Sequence, residues 1–134
     1  MLAWLRLARV YQKVGRRATE HLRQWDLSDA QFDVLAHVGA AEGIMQQDLA
    51  DALLVTKGNV CQLLDRMEER GLLLRHQDGR RKRLFLTDKG RALFAAVVPA
   101  HEAFVAEQLS ALLRVEQVRL LGLLRTLDHA LRSS

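Results

Sequence analysis

The chain has 134 residues, of which 49% are hydrophobic, with a net charge of +4 and a single cysteine, Cys61. That length supports one domain, and the apolar share excludes a disordered tail. One cysteine excludes an internal disulfide and suits a reducing compartment. No apolar run reaches the length of a membrane span, and Arg6 and Arg9 interrupt the stretch a signal peptide would need. The expected location is cytoplasmic, with no membrane partner. The mild positive charge leans toward a polyanion, but where it sits says more than its sum.

Leu7, Val10, Tyr11, Val14, Ala18, Leu22 and Trp25 recur three or four residues apart and form one stripe of a long first helix. Ser28 reads as the N-cap of a second helix that runs to about Gly39. Gln31 completes a capping box, and Leu27 and Phe32 stand at staple spacing. Gly43 marks a turn, and a short third helix covers Gln46 to Leu53. Thr56 caps a fourth helix, with Val55 and Val60 again at staple spacing. Gly71 ends that helix, and Met67 and Leu72 sit where a Schellman motif places its apolar contact. Leu72–His76 and Arg83–Leu86 read as two short strands, and Asp78-Gly79 between them is a tight hairpin signal. Thr87 caps a fifth helix, which Pro99 should bend. Leu93, Phe94, Val97, Val98, Phe104, Val105 and Leu109 form one stripe, and Val118, Leu121, Leu124, Leu127 and Leu131 another.

The fold class is mainly α with a small β-hairpin, an α+β winged helix-turn-helix. The expectation is a single domain, residues 1–134, with the DNA-binding lobe over about 28–90 and a helical region over about 1–25 and 91–131. Those terminal helices carry more apolar surface than a small core needs. Packing within one chain is the plain explanation, but one recognition helix rarely supplies a specific DNA site, which favours a dimer interface.

The opening of the fourth helix holds Thr56, Lys57, Gly58 and Asn59, followed by Gln62. A helix N-terminus suits a phosphate, Gly58 permits close backbone approach, and Asn59 and Gln62 suit base edges. Arg66, one turn on, reaches either phosphate or a neighbouring acid, Asp65, Glu68 or Glu69. Arg80, Arg81, Lys82 and Arg83 crowd the hairpin, with Arg75 nearby and Asp78 the one acid among them. Charge runs are usually solvated faces. A cationic hairpin tip beside a recognition helix is better explained by DNA.

On these segments the chain resembles the MarR (multiple-antibiotic-resistance regulator) family of bacterial winged-helix repressors, from about Leu5 to Leu131. The resemblance rests on the stretch from Leu49 to Leu73, on the pattern Asp78, Arg80, Leu84, Leu86, Thr87, and on Lys89-Gly90. It implies a homodimer whose first, fifth and sixth helices interleave. It also implies a pseudo-palindromic double-stranded DNA operator, and often release by a small phenolic or lipophilic effector. By that likeness Arg80 enters the minor groove, and Asp78 braces the wing by pairing with an arginine. The chain departs from the usual pattern in having Met45, Leu54 and Gln62 where Ser or Thr, Gly and Arg are common, and its wing is short.

Tyr11, Trp25, His37 and His101 are candidates for an effector pocket, since tyrosine and tryptophan carry polar tips and the family's ligand site lies near the second and fifth helices. Aromatics at this spacing are more often core. No metal-ligand spacing occurs among His21, His37, His76, His101 and His129, so no metal and no cofactor is expected. A redox or metal response through Cys61 or the histidines is the less favoured alternative. An enzyme is not expected, because no nucleophile motif, phosphate loop or carboxylate pair stands out. A winged-helix interaction module without DNA binding would carry a neutral or acidic wing, which this chain lacks.

Overall fold

The computed structural model describes residues 2–53 and 57–132. In chain order the elements are α1 (Leu2–Leu22) with a 3₁₀ end (Arg23–Trp25), α2 (Asp29–Ala40), β1 (Ile44–Met45), α3 (Gln46–Leu53) and α4 (Lys57–Glu69). There follow β2 (Leu73–Asp78), β3 (Arg81–Leu86), α5 (Asp88–Gln108) and α6 (Arg114–Leu131).

Local signals in the sequence account for several boundaries. The Ser28 hydroxyl accepts from the Gln31 amide while Gln31 Oε1 accepts from the Ser28 amide, both at 3.1 Å, which starts α2. Gly71, at φ 72°, closes α4. Its N–H donates to Glu68 O and that of Leu72 to Met67 O, the two bonds of a Schellman motif, with Leu72 and Met67 both buried. Thr87 caps α5, its hydroxyl accepting from the Gly90 amide at 2.9 Å and donating to Gly71 O. The expected cap at Thr56, the staple residue Val55 that pairs with Val60, and Leu54 lie outside the described residues.

β3 is the centre of a three-stranded antiparallel sheet in the order β1-β3-β2. The register runs from Leu73 opposite Leu86 to Asp78 opposite Arg81, so the hairpin strands extend further toward the tip than their apolar residues suggest. The two loop residues are Gly79 and Arg80. Gly79 takes φ 63° at the first central position, as a II′ turn requires. The two-residue β1 is too short to leave a periodic signal; it pairs Ile44 with Leu84 and Met45 with Arg83.

The core gathers Val34, Leu35 and Val38 of α2, Leu49 of α3, Val60, Leu64 and Met67 of α4, and Leu84 and Leu86 of β3. Val97 and Val98 of α5 close it from above. α5 runs unbroken through Pro99, which is solvent-exposed. On that side the Ala95 carbonyl, deprived of its donor, can turn to water. α6 has no buried residue, and Val118, Leu121, Leu124, Leu127 and Leu131 are all exposed, as are Leu2, Trp4, Leu5 and Leu7 of α1.

Candidate nucleic-acid interface

α4 and the β2–β3 hairpin share one face with α3. Val60, Leu64 and Met67 anchor α4 in the core, which turns Asn59, Gln62 and Arg66 to solvent. Thr56 lies outside the described residues, and of Lys57 and Gly58 only the helical backbone is described. Between α3, α4 and the hairpin is a cleft of about 550 Å³ lined by Gln46, Cys61, Arg80, Arg81 and Lys82, among others. Gln46 donates to the Cys61 sulfur at 3.3 Å, and Arg81 to the Met45 sulfur at 3.3 Å.

The cations predicted for the wing divide into two groups. Arg83 pairs with the Asp78 carboxylate at 2.8 Å and donates to the Gly43 carbonyl at 2.9 Å, so it ties the hairpin to the α2–β1 turn. The guanidinium holds the Asp78 carboxyl below its usual range, through the hydrogen bond first and the charge second. Arg75 is clasped by Asp65 and Glu68 of α4. Arg80, Arg81 and Lys82 are exposed and make no ion pair among the described residues. Arg66 is also exposed and unpaired among them, because Asp65 and Glu68 face Arg75 instead.

Two anchors of this face were not anticipated. Glu42, just after α2, accepts from the Leu86 amide at 2.9 Å and from Arg91 at 3.0 Å and 3.1 Å, which fixes the end of β3 to the start of α5. Its carboxyl is lowered chiefly by the Arg91 hydrogen bond. Arg70, past the end of α4, donates to Asp26 O at 2.7 Å, Gln31 Oε1 at 3.2 Å and Trp25 O at 3.5 Å. These bonds span some forty residues of sequence, and nothing local announces them.

The four pocket candidates fall apart in space. Tyr11 and His101 line an open groove of about 920 Å³ between α1, α2 and α5, together with Thr19, Phe32, Asp33 and Glu102. Trp25 is not on its wall but packs edge-on against His21. His37 is exposed and bonds to its own helix at Asp33 O. The partner of His101 is His21, at 2.9 Å. Asp33 is raised above the usual carboxylate range, mainly by burial. Among the described residues no group of three or more His, Cys, Asp or Glu side chains is placed to hold a metal ion, and no helix is long and apolar enough to cross a membrane.

Residues 25–83 match the sequence profile of the MarR family. An uncharacterized HTH-type transcriptional regulator of Bacillus cereus is 34% identical over 128 residues, covering 96% of this chain and 87% of the relative. Transcriptional regulator HosA of Escherichia coli O127:H6 is 30% identical over 125 residues, 87% of this chain and 93% of its own length. In a solved complex with DNA, Staphylococcus aureus MepR superposes with a TM-score of 0.86 at 26% identity, covering 98% of this chain and 99% of that one. AbsC of Streptomyces coelicolor, at 24% identity, shares the fold with a TM-score of 0.92 over 99% of this chain and 94% of that one.

Proposed function

The chain belongs to the MarR family of DNA-binding transcriptional regulators, and from that premise we propose that it is a homodimeric repressor released from a pseudo-palindromic operator by a small-molecule effector. The observation that carries the DNA contact is the exposed set Arg80, Arg81 and Lys82, without an ion pair among the described residues, beside the solvent face of α4. In this reading α4 enters the major groove, with Thr56, Lys57, Gly58, Asn59 and Gln62 toward phosphates and base edges and Arg66 toward the backbone. Arg80 reaches the minor groove, and the Asp78–Arg83 pair stiffens the hairpin that carries it. The MepR–DNA complex supports this docking by its likeness of fold.

The apolar residues left open on α1 and α6 support the dimer. Leu113, Val115, Val118 and Leu131 are each more than 60% exposed, a surface that isolated chains rarely leave in water. We assign residues 28–90 to the DNA-binding lobe and 1–25 with 91–131 to the dimerisation region. The groove between α1, α2 and α5, which holds Tyr11 and His101, lies where the two parts meet and suits a small lipophilic or phenolic effector.

The test is fluorescence anisotropy of labelled DNA from the region upstream of the gene, against a scrambled duplex at near-physiological salt. Much tighter binding to the native duplex is the expected result. Equal, weak binding to both would refute a specific operator there.

A further inference from the structure

His21 and His101 meet with their Nδ1 atoms 2.9 Å apart at the junction of α1 and α5. The rings are stacked, their centroids 5.1 Å apart. His101 is 6% exposed, and Phe32 of α2 meets its ring edge-on at 4.5 Å. Phe104 stacks on the His21 ring at 4.1 Å, and Trp25 meets that ring edge-on at 5.2 Å.

This geometry limits the protons the pair can hold. With both rings neutral, one Nδ1–H donates to the lone pair of the other. One added proton leaves a bond of the same shape, now charge-assisted. A second proton puts two N–H donors face to face at hydrogen-bond distance, and one of the two rings is buried among aromatics. The rings must then part. The charged groups around the pair do not remove this conflict. Arg16, Glu20 and Arg23 approach from α1 and its 3₁₀ end, Asp29 and Asp33 from α2 and Glu102 from α5, all on the open groove. Arg23 is paired to Glu20 at 3.2 Å, and Asp29 accepts the Thr19 hydroxyl at 2.6 Å. His101 is held below the ordinary imidazole range, by burial first and the charge of His21 second, against an opposing pull from Asp29.

We propose that the His21–His101 pair is a proton-sensitive latch that holds α1 to α5 while it carries at most one proton, and that a second proton parts the two helices and weakens operator binding. The route to the DNA face is short. His21 bears on Trp25, whose carbonyl accepts from Arg70 beyond the end of α4. Parting the rings loosens the corner that Arg70 grips. The effect on DNA rests on the regulator reading above; the latch itself does not.

The experiment follows the full-length protein between about pH 8 and about pH 5, the range over which imidazoles titrate. Histidine ring NMR tests the latch. The expected result is that the His21 and His101 signals move together in coupled steps, as one two-site unit. In a Trp4→Phe background, Trp25 emission changes with the lower step, because a protonated imidazole quenches a neighbouring indole. Anisotropy on the upstream duplex should show the wild type losing about tenfold more affinity on acidification than His101→Phe or His101→Gln, the effect of one unit of pKa displacement. Each variant retains His76 on the wing, so general protonation cancels in the comparison. His101→Gln serves if the phenylalanine form fails to fold. Independent titration of the two histidines would overturn the latch. Coupled titration with identical acid loss in wild type and variants would overturn its link to DNA. If no duplex binds at any pH, the regulator reading fails together with that link, and the NMR result alone decides the latch.

Discussion

Salt dependence of DNA binding should separate the two groups of wing cations. Each phosphate neutralised contributes roughly 0.9 to the slope of log affinity against log salt. If Arg75, Arg80, Arg81, Lys82 and Arg83 all met phosphate, one wing would contribute about 4.5. Arg75 is already neutralised by Asp65 and Glu68, and Arg83 by Asp78. Arg80, Arg81 and Lys82 remain, so each wing contributes at most about 2.7, and a dimer twice that. Arg80→Ala should therefore reduce the slope by about 0.9 per protomer, since a guanidinium in the minor groove sits between the two phosphate rows and displaces a counterion as a phosphate contact does. Arg83→Gln should leave the slope nearly unchanged while lowering affinity at every salt concentration, because the hairpin loses its tie to the Gly43 carbonyl. Anisotropy titrations from about 50 to about 200 mM salt give both quantities. The reasoning is refuted if Arg83→Gln or Arg75→Gln flattens the slope as much as Arg80→Ala does.

Asn59→Ala should cost about 1–3 kcal/mol on the specific operator and little on scrambled DNA; competition binding against both duplexes measures the difference. Gly90→Ala should destabilise the fold by about 3 kcal/mol or more, since an added Cβ would stand 2.1 Å from the Leu72 carbonyl oxygen. Urea unfolding within about 0.5 kcal/mol of wild type would contradict this. Leu124→Glu should shift the chain from dimer toward monomer in sedimentation at micromolar concentration, and an unchanged dimer would count against α6 as the interface. Asp78 and Glu42 both have folded-state pKa values lowered by arginine partners. Their contribution is complete above the unfolded carboxylate value of about 4 and is lost as pH falls through the folded values. Glu42→Gln should remove its share of this acid sensitivity, read as unfolding midpoint against pH.

The sequence reveals best what chemistry fixes within a few residues. Ser28 and Gln31, Met67 with Gly71 and Leu72, Gly79, and Thr87 with Gly90 each settle a local backbone problem, and the corresponding boundaries of α2, α4, the hairpin and α5 fall beside them. The family resemblance drew on only part of this set, Met67, Gly71 and Leu72 within the Leu49–Leu73 stretch and Thr87 with Gly90. Long-range polar partnerships left no such mark. His101 lies eighty residues from His21, and both are ordinary members of helical segments until α1 and α5 are brought together. Arg75 reads as one more wing cation until the register turns it toward α4. Glu42 and Arg91 are likewise unremarkable residues in sequence, forty-nine positions apart, yet they tie the sheet to α5.

α6 offers a different kind of consequence. Among the described residues, an 18-residue helix with no buried side chain is held mainly by its backbone, the Leu113 amide donating to Glu116, and the bonds from Gln117 to the Leu109 and Leu112 carbonyls. In proteins most helical stability comes from packing of an apolar face rather than from intrinsic propensity. Its persistence then depends on mass action: the fraction of chains with α6 ordered rises with the concentration of whatever surface covers it. On the proposed dimer that surface is another copy of the chain. Cellular abundance would set the fraction of competent protein, and a newly made subunit would finish folding only on meeting its counterpart.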